Sequence, residues 1–316
     1  MKNLYHVYQI DSFTKERLTG NPAGVVTNAD GLSDQQMQKI ARELNNSETA
    51  FIFKPENNTY DVQVRFFTPT KEVPICGHAT IAAHYARAIE NHLGATHVLQ
   101  KTGAGILPVD IVRENDDYKI IMTQGKIEVN DALPIEVQQS LVKALGITQH
   151  DILENCPVAI ASTGHSKVMI GIKDVNILHS LQPNMDHLSK LSNKIGCNGY
   201  YVFTMNQDDT PMVHGRMFAP AIGINEDPVT GNANGPLGAY LIHYGLVTHD
   251  ATQFAFKVIQ GEAIGRAGTI EVQVKFNKNE HIEVKIVGNA LIAISTEVML
   301  YAIKIINTVD YVQRTC

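Results

Sequence analysis

The chain repeats itself. Arg65-Phe66-Phe67-Thr68-Pro69 returns as Arg216-Met217-Phe218-Ala219-Pro220, 151 residues later. Ser33–Leu44 has a counterpart at the same spacing in Asn184–Ile195, and Phe51-Ile52-Phe53 has one in Tyr201-Val202-Phe203, 150 residues on. Pro74-x-x-Gly77-x-Ala79 matches Pro228-x-x-Gly231-x-Ala233, and Thr19-Gly20 before Val25-Val26 parallels Thr163-Gly164 before Val168-Met169. Five matches in one order, near half the length of a 316-residue chain, leave few architectures open. We read two copies of one α+β unit meeting across a pseudo-twofold junction, with Gln124–Leu133 as the crossing.

Within each copy the periodicities are readable. Tyr5–Phe13, Val62–Phe67, Tyr118–Thr123 and Gly215–Ala219 alternate as half-buried strands do. A helix starts at the cap signal Ser33-Asp34 and carries Met37, Ile40, Ala41 and Leu44 on one face. A second, Ala79–Ile89, is apolar nearly all round, and so is its partner Pro236–Tyr244, where the proline suits an opening turn. A helix with no polar face must be enclosed, so each copy is expected to wrap a sheet around a central helix. Ile270–Phe276, Ile282–Ile286 and Ala290–Ile305 read as strands, the last running into a helix.

Composition narrows the partners. Lys+Arg 26 against Asp+Glu 32 leaves a net charge of −6, without the basic face that phosphate backbones require, so no nucleic-acid partner is expected. No run has the length and apolarity of a membrane span, so none is expected to enter a membrane. Cys76, Cys156, Cys197 and Cys316 form no C-x-x-C pair, which suits a reducing, cytoplasmic setting. The histidines lack ligand spacing, so no metal is expected. Neither glycine loop ends in the Lys-Ser/Thr of a phosphate loop, and Gly103-Ala104-Gly105 opens no dinucleotide fingerprint, so no cofactor is expected.

The chemistry is concentrated where both copies place a glycine turn before the buried helix: Pro74–Thr80 and Asp227–Pro236. The first N–H groups of a helix lack internal partners and the dipole adds partial positive charge there. For one loop alone, the glycines are equally explained by a tight turn. In both copies, they suggest two helix ends facing one cleft and holding an anion, such as a carboxylate. Symmetry is broken at Ser47-Glu48-Thr49, opposite Cys197-Asn198-Gly199, so Glu48 has no carboxylate twin and becomes the candidate for moving a proton. Cys76 and Thr230 are equivalent positions. A two-thiol racemase would need cysteine at both, which leaves Cys76 at most a secondary acid or base. His78 either contacts substrate or caps its own helix. Ser162–Lys167 resembles a hydrolase motif only superficially, because it lacks G-x-S-x-G.

Taken in order, Gly20-Asn21-Pro22-Ala23-Gly24-Val25, Ser47–Phe51, Arg65–Pro69, Cys76-Gly77-His78-Ala79 and Glu226–Gly231 resemble the PhzF (phenazine biosynthesis-like) family from Tyr5 to about Ile294. The resemblance implies the duplicated two-domain diaminopimelate epimerase-like fold, each domain a curled, mostly antiparallel sheet around a central helix. The domains would be 1–127 with a C-terminal return at 295–316, and 128–294. It also implies a homodimer and a cofactor-independent isomerase of a small carboxylate-bearing substrate. Glu48 matches the family's proton-shuttling glutamate, and His78 and Asp227 match residues that bind substrate and steer protonation. Asn21, Gly77, Thr230, Gly231 and Asn232 are the candidate substrate-binding residues. The phenazine enzyme has a serine where this chain has Asn232, a departure that bears on substrate. An amino-acid epimerase and a non-catalytic small-acid-binding protein are the competing readings.

Overall fold

The structure, a computed structural model, describes residues 2–250, 252–277 and 280–301. The first half supplies strands β1 (Lys2–Ser12), β2 (Asn21–Val26), β3 (Thr49–Phe53), β4 (Val62–Phe67), β5 (Glu72–Val73), β6 (Thr96–Thr102), β7 (Gly105–Glu114) and β8 (Asp117–Thr123), with helices α1 (Asp34–Leu44) and α2 (Gly77–Glu90). The second supplies β9 (Glu128–Ala132), β10 (Ala159–Ser162), β11 (Lys167–Gly171), β12 (Tyr200–Met205), β13 (Val213–Ala219), β14 (Ile224–Asp227), β15 (Gln253–Gln260), β16 (Gly268–Asn277) and β17 (Glu280–Tyr301). Its helices are α3 (Ile135–Leu145), α4 (Val175–Ser180), α5 (Met185–Ile195) and α6 (Gly231–His243).

The first half closes on itself. β1, β2, β3, β4, β6, β7, β8 and β17 pair in that order, and β17 returns to β1. Only β2–β3 and β4–β6 are parallel; the rest of the ring is antiparallel. The apolar helix α2 runs through this barrel, packed against β1, β2, β3, β7, β8 and β17. Alternation supplies the lining: Tyr118, Ile120 and Met122 of β8 are buried while their neighbours are not.

The second half repeats the plan around α6, with β9, β10, β11, β12, β13, β15, β16 and β17 in order and β11–β12 and β13–β15 parallel. This is the diaminopimelate epimerase-like arrangement. Small residues let the sheet close tightly on α6. A Cβ on Gly238 would meet Val274 Cγ2 at 2.7 Å and Val272 Cγ1 at 3.0 Å, a contact no side chain tolerates without displacement. β17 is common to both halves: it pairs with β16 up to Val287, with β8 over Lys285–Asn289, and with β1 from Ala290 onward.

Helix α1 starts as its cap signal indicates, with Ser33 accepting from the Gln36 N–H in a capping box. Two expectations need correction. α6 begins at Gly231, five residues before the expected start, so Pro236 is interior. Its missing N–H removes the helical bond to the Asn232 carbonyl, one turn back near the helix start. The β3–β12 match is displaced by one residue: Thr49 pairs with Phe67 as Tyr200 pairs with Phe218, so 151 residues separate these strands too. The segment from Ala290 is strand through Tyr301, as expected; the helix expected toward Ile305 lies outside the described residues. None of the described helices is long and apolar enough to cross a membrane.

Candidate active site

The chain reaches the junction at four places. After α1, Asn45 takes a left-handed turn (φ 52°), and the chain enters β3 through Ser47 and Glu48. The Glu48 carbonyl accepts from the Gly24 N–H at 3.1 Å, which fixes its backbone beside β2. β2 opens with Asn21, α2 with Cys76 and Gly77, and β14 ends at Asp227, three residues before the α6 cap Thr230.

These places converge. His78 Nε2 lies 3.5 Å from Glu48 Oε2 and 3.2 Å from Ser47 Oγ, and its Nδ1 lies 3.4 Å from Cys76 Sγ. The imidazole therefore faces the cluster and does not cap its own helix. The side chains of His78 and Glu48 are 8% and 16% exposed, so the pair is screened from bulk water without being sealed from it. From the other half, Asp227 accepts from Asn21 Nδ2 at 2.9 Å and from the Thr230 hydroxyl. Asn21 also donates to the Val229 carbonyl at 2.9 Å, so one buried amide ties both halves together at the site.

Neither α2 nor α6 has a side-chain cap at its start, so the opening N–H groups of both helices remain available to an anion. A Cβ on Gly77 would meet no atom within 4 Å, which leaves open space in front of α2. Asn46 Nδ2, Thr49 Oγ1 and Asn232 Oδ1 are buried polar atoms without a protein partner, and such groups point to a bound polar ligand or water. Glu48 itself has no counterpart: the pairing that equates Thr49 with Tyr200 sets Gly199 at its position.

The sequence profile of the phenazine biosynthesis-like protein family (PhzC-PhzF) matches residues 10–296. The chain belongs to the phenazine biosynthesis-like family. An isomerase of Clostridium acetobutylicum is 66% identical over 297 residues, covering 94% of this chain and 98% of that one. The trans-2,3-dihydro-3-hydroxyanthranilate isomerase of Pseudomonas chlororaphis is 31% identical over 289 residues, covering 91% and 97%. Among solved structures, the Bacillus anthracis phenazine biosynthesis protein of the PhzF family superposes with a TM-score of 0.85 at 31% identity, covering 94% of this chain and 100% of that one. Like these relatives, the protein is an isomerase.

Electrostatics divide the cluster. Burial pushes the Asp227 carboxyl up from the ordinary carboxylate range, and the Glu48 charge pushes it further; the nearby His78 and the bonds from Thr230 and Asn21 oppose the shift. Burial also raises the Cys76 thiol well above its usual value, reinforced by the charges of Glu48 and Asp227. The helix start, which would lower a thiol, is outweighed, and Cys76 stays protonated. The thiol, carboxylate and imidazole of Cys76, Glu48 and His78 are close enough together to hold a metal ion, but a protonated thiol is a poor ligand.

A second donor group gathers His179, His214 and Glu262, residues far apart in sequence. Glu262 Oε2 lies 3.1 Å from His179 Nε2 and 2.7 Å from His214 Nδ1, so the three already satisfy one another. Their distant positions explain why sequence spacing gave no sign of them.

Sequence reasoning missed the frame behind Asp227. Gln260 Nε2 donates to the Asp227 carbonyl at 2.8 Å and reaches Thr230 Oγ1 at 3.1 Å, while its Oε1 accepts from Asn234 Nδ2 at 3.0 Å. Tyr201 OH donates to Asn234 Oδ1 at 2.6 Å. A lone glutamine in a strand and an asparagine in a helix carry no motif that would mark them.

Proposed function

We propose that the protein moves a proton between two carbons of a small carboxylate-bearing metabolite, with Glu48 as the single base. The observation that carries this reading is the Glu48–His78 contact of 3.5 Å beside two uncapped helix starts, at a position where the other half has glycine. Glu48 takes the proton from one carbon, the electron pair shifts into the neighbouring double bond, and the same carboxyl returns the proton to a second carbon. His78 and Asp227 orient the substrate, and the helix N–H groups stabilise charge as it develops. These side chains suffice for the transfer, so the reading invokes no cofactor. The relative named trans-2,3-dihydro-3-hydroxyanthranilate isomerase supports a carboxylate substrate for this chain.

An amino-acid epimerase is the second reading. It is weakened by Thr230, which stands where a second thiol would be needed and is already bonded to Asp227.

The test is NMR in deuterated buffer with dihydro-hydroxyanthranilate and a panel of small amino and hydroxy acids. Deuterium should enter one carbon with the wild-type protein, and Glu48→Gln should slow entry by roughly 10²–10⁴-fold. Full exchange by Glu48→Gln on the same compound would sink the proposal.

A further inference from the structure

Lys167, like Glu48, is a charge without a counterpart in the other copy. It stands at the start of β11, which pairs with β12 as β2 pairs with β3; that register makes it the counterpart of Ala23. The residue is only 2% exposed, and its ammonium has one bond among the described residues, 3.5 Å to the His165 carbonyl. Among the described residues, no carboxylate lies within 4.0 Å of it. Buried ammonium groups are ordinarily paired, so a lone one marks a site whose partner arrives from outside.

Its position gives that site an address. A Cβ on Gly199 would come within 3.3 Å of Lys167 Cδ, so the lysine stem lies over the residue that replaces Glu48 in the second half. The titratable groups facing it are Asp227 on β14, Cys197 between α5 and β12, and His165 on its own approach. Asp227 is engaged by Asn21 and Thr230 and makes no ion pair with the lysine. The second half thus sets a buried lysine beside the position that Glu48 takes in the first.

We propose that Lys167 and the start of α6 form the anion subsite that receives the substrate carboxylate, so that the exchanging carbons are turned toward Glu48 and His78. This rests on the carboxylate substrate proposed above and adds its orientation. Burial lowers the Lys167 ammonium to about 8, opposed by the negative charge of Asp227, so the subsite loses its charge in mildly alkaline solution.

The probe is benzoate, with benzamide as its uncharged isostere, titrated calorimetrically from pH 7 to 9.5. The wild type should bind benzoate at least tenfold more tightly than benzamide at pH 7. Affinity for benzoate should fall as pH rises through about 8, where benzoate itself stays ionised. Lys167→Met should remove both the preference and the pH dependence and should raise Tm, because a buried, nearly unpartnered charge is gone. A residue present only for structure would lower Tm instead. Glu48→Gln should leave benzoate affinity intact or improve it. Retained deuterium exchange in that variant would therefore overturn the base assignment without touching the subsite. Wild-type affinity that is absent, indifferent to charge, or constant with pH overturns the subsite, and so does a Lys167→Met protein with unchanged benzoate binding or a lowered Tm. The wild-type pH series decides the matter even if the variant does not fold.

Discussion

Asn21 and Asp227, 206 positions apart, meet across the junction: the Asn21 amide donates to Asp227 Oδ1 and to the Val229 carbonyl, both at 2.9 Å. Asn21 is almost fully buried, so neither acceptor has water as an alternative. Asn21→Ala should cost about 1–3 kcal/mol, the penalty of leaving buried acceptors unpaired. It should also slow turnover, since Asp227 would no longer be held. Chemical denaturation beside exchange kinetics measures both, and an unchanged midpoint would count against the account. Asn21→Asp should be worse, because it sets a second carboxylate against the first.

The Cys76 thiol is a packing group in this site. It is buried, and the charges of Glu48 and Asp227 raise it further. Labelling at pH 8 with iodoacetamide, read by mass spectrometry, should leave Cys76 unmodified in the native protein and modify it after unfolding. Cys76→Ala should keep exchange within about tenfold of wild type and lose about 1 kcal/mol for the small cavity. Rapid native labelling would mean an exposed thiolate and revive the epimerase reading.

Asp227 gives the site a pH signature. Its folded-state pKa is raised by burial above the unfolded value of about 3.9. The contribution to stability is therefore fully present below the unfolded value and is lost as pH rises through the folded one. Asp227→Asn never acquires that charge. Its Tm relative to wild type should increase between pH 4 and neutrality, while its exchange activity falls throughout. A difference in Tm that stayed flat with pH would contradict the burial argument.

The parts legible in sequence were those governed by local chemistry. Ser33 capped α1, the apolar helices ran through the sheets, and Arg65 and Arg216 kept their spacing. What was hidden depends on partners far along the chain. Gly231-Asn232-Ala233-Asn234-Gly235 reads as a loop, because its glycines have poor helix propensity, yet enclosure by β16 and β17 makes it the first turns of α6. The slip of one residue between β3 and β12 arose because both are apolar on nearly every position, so burial alone sets no register. Lys167 closes the segment set aside as a superficial hydrolase match. Only the folded chain reveals that its ammonium is enclosed.

The duplicated arginines offer the last prediction. Arg65 pairs with Glu72 and Asp34, whose side chains are 43% and 77% exposed, whereas Arg216 and Glu226 are 8% and 11% exposed. Arg216 makes two bonds to Glu226, at 2.9 and 2.7 Å, and donates to the carbonyls of Leu178 and Leu181 at 2.9 Å each. It thereby joins α4 to β13 and to the strand that ends at Asp227. Arg216→Met would strand the Glu226 charge and several carbonyls and should cost about 3–5 kcal/mol. Arg65→Met, with water at hand for its partners, should cost about 1 kcal/mol or less. Adding Glu226→Leu to Arg216→Met should recover part of the loss by removing the uncompensated charge. Urea denaturation of the four proteins tests the ordering. Equal losses for the two single variants would mean that enclosure does not set the worth of these twin arginines.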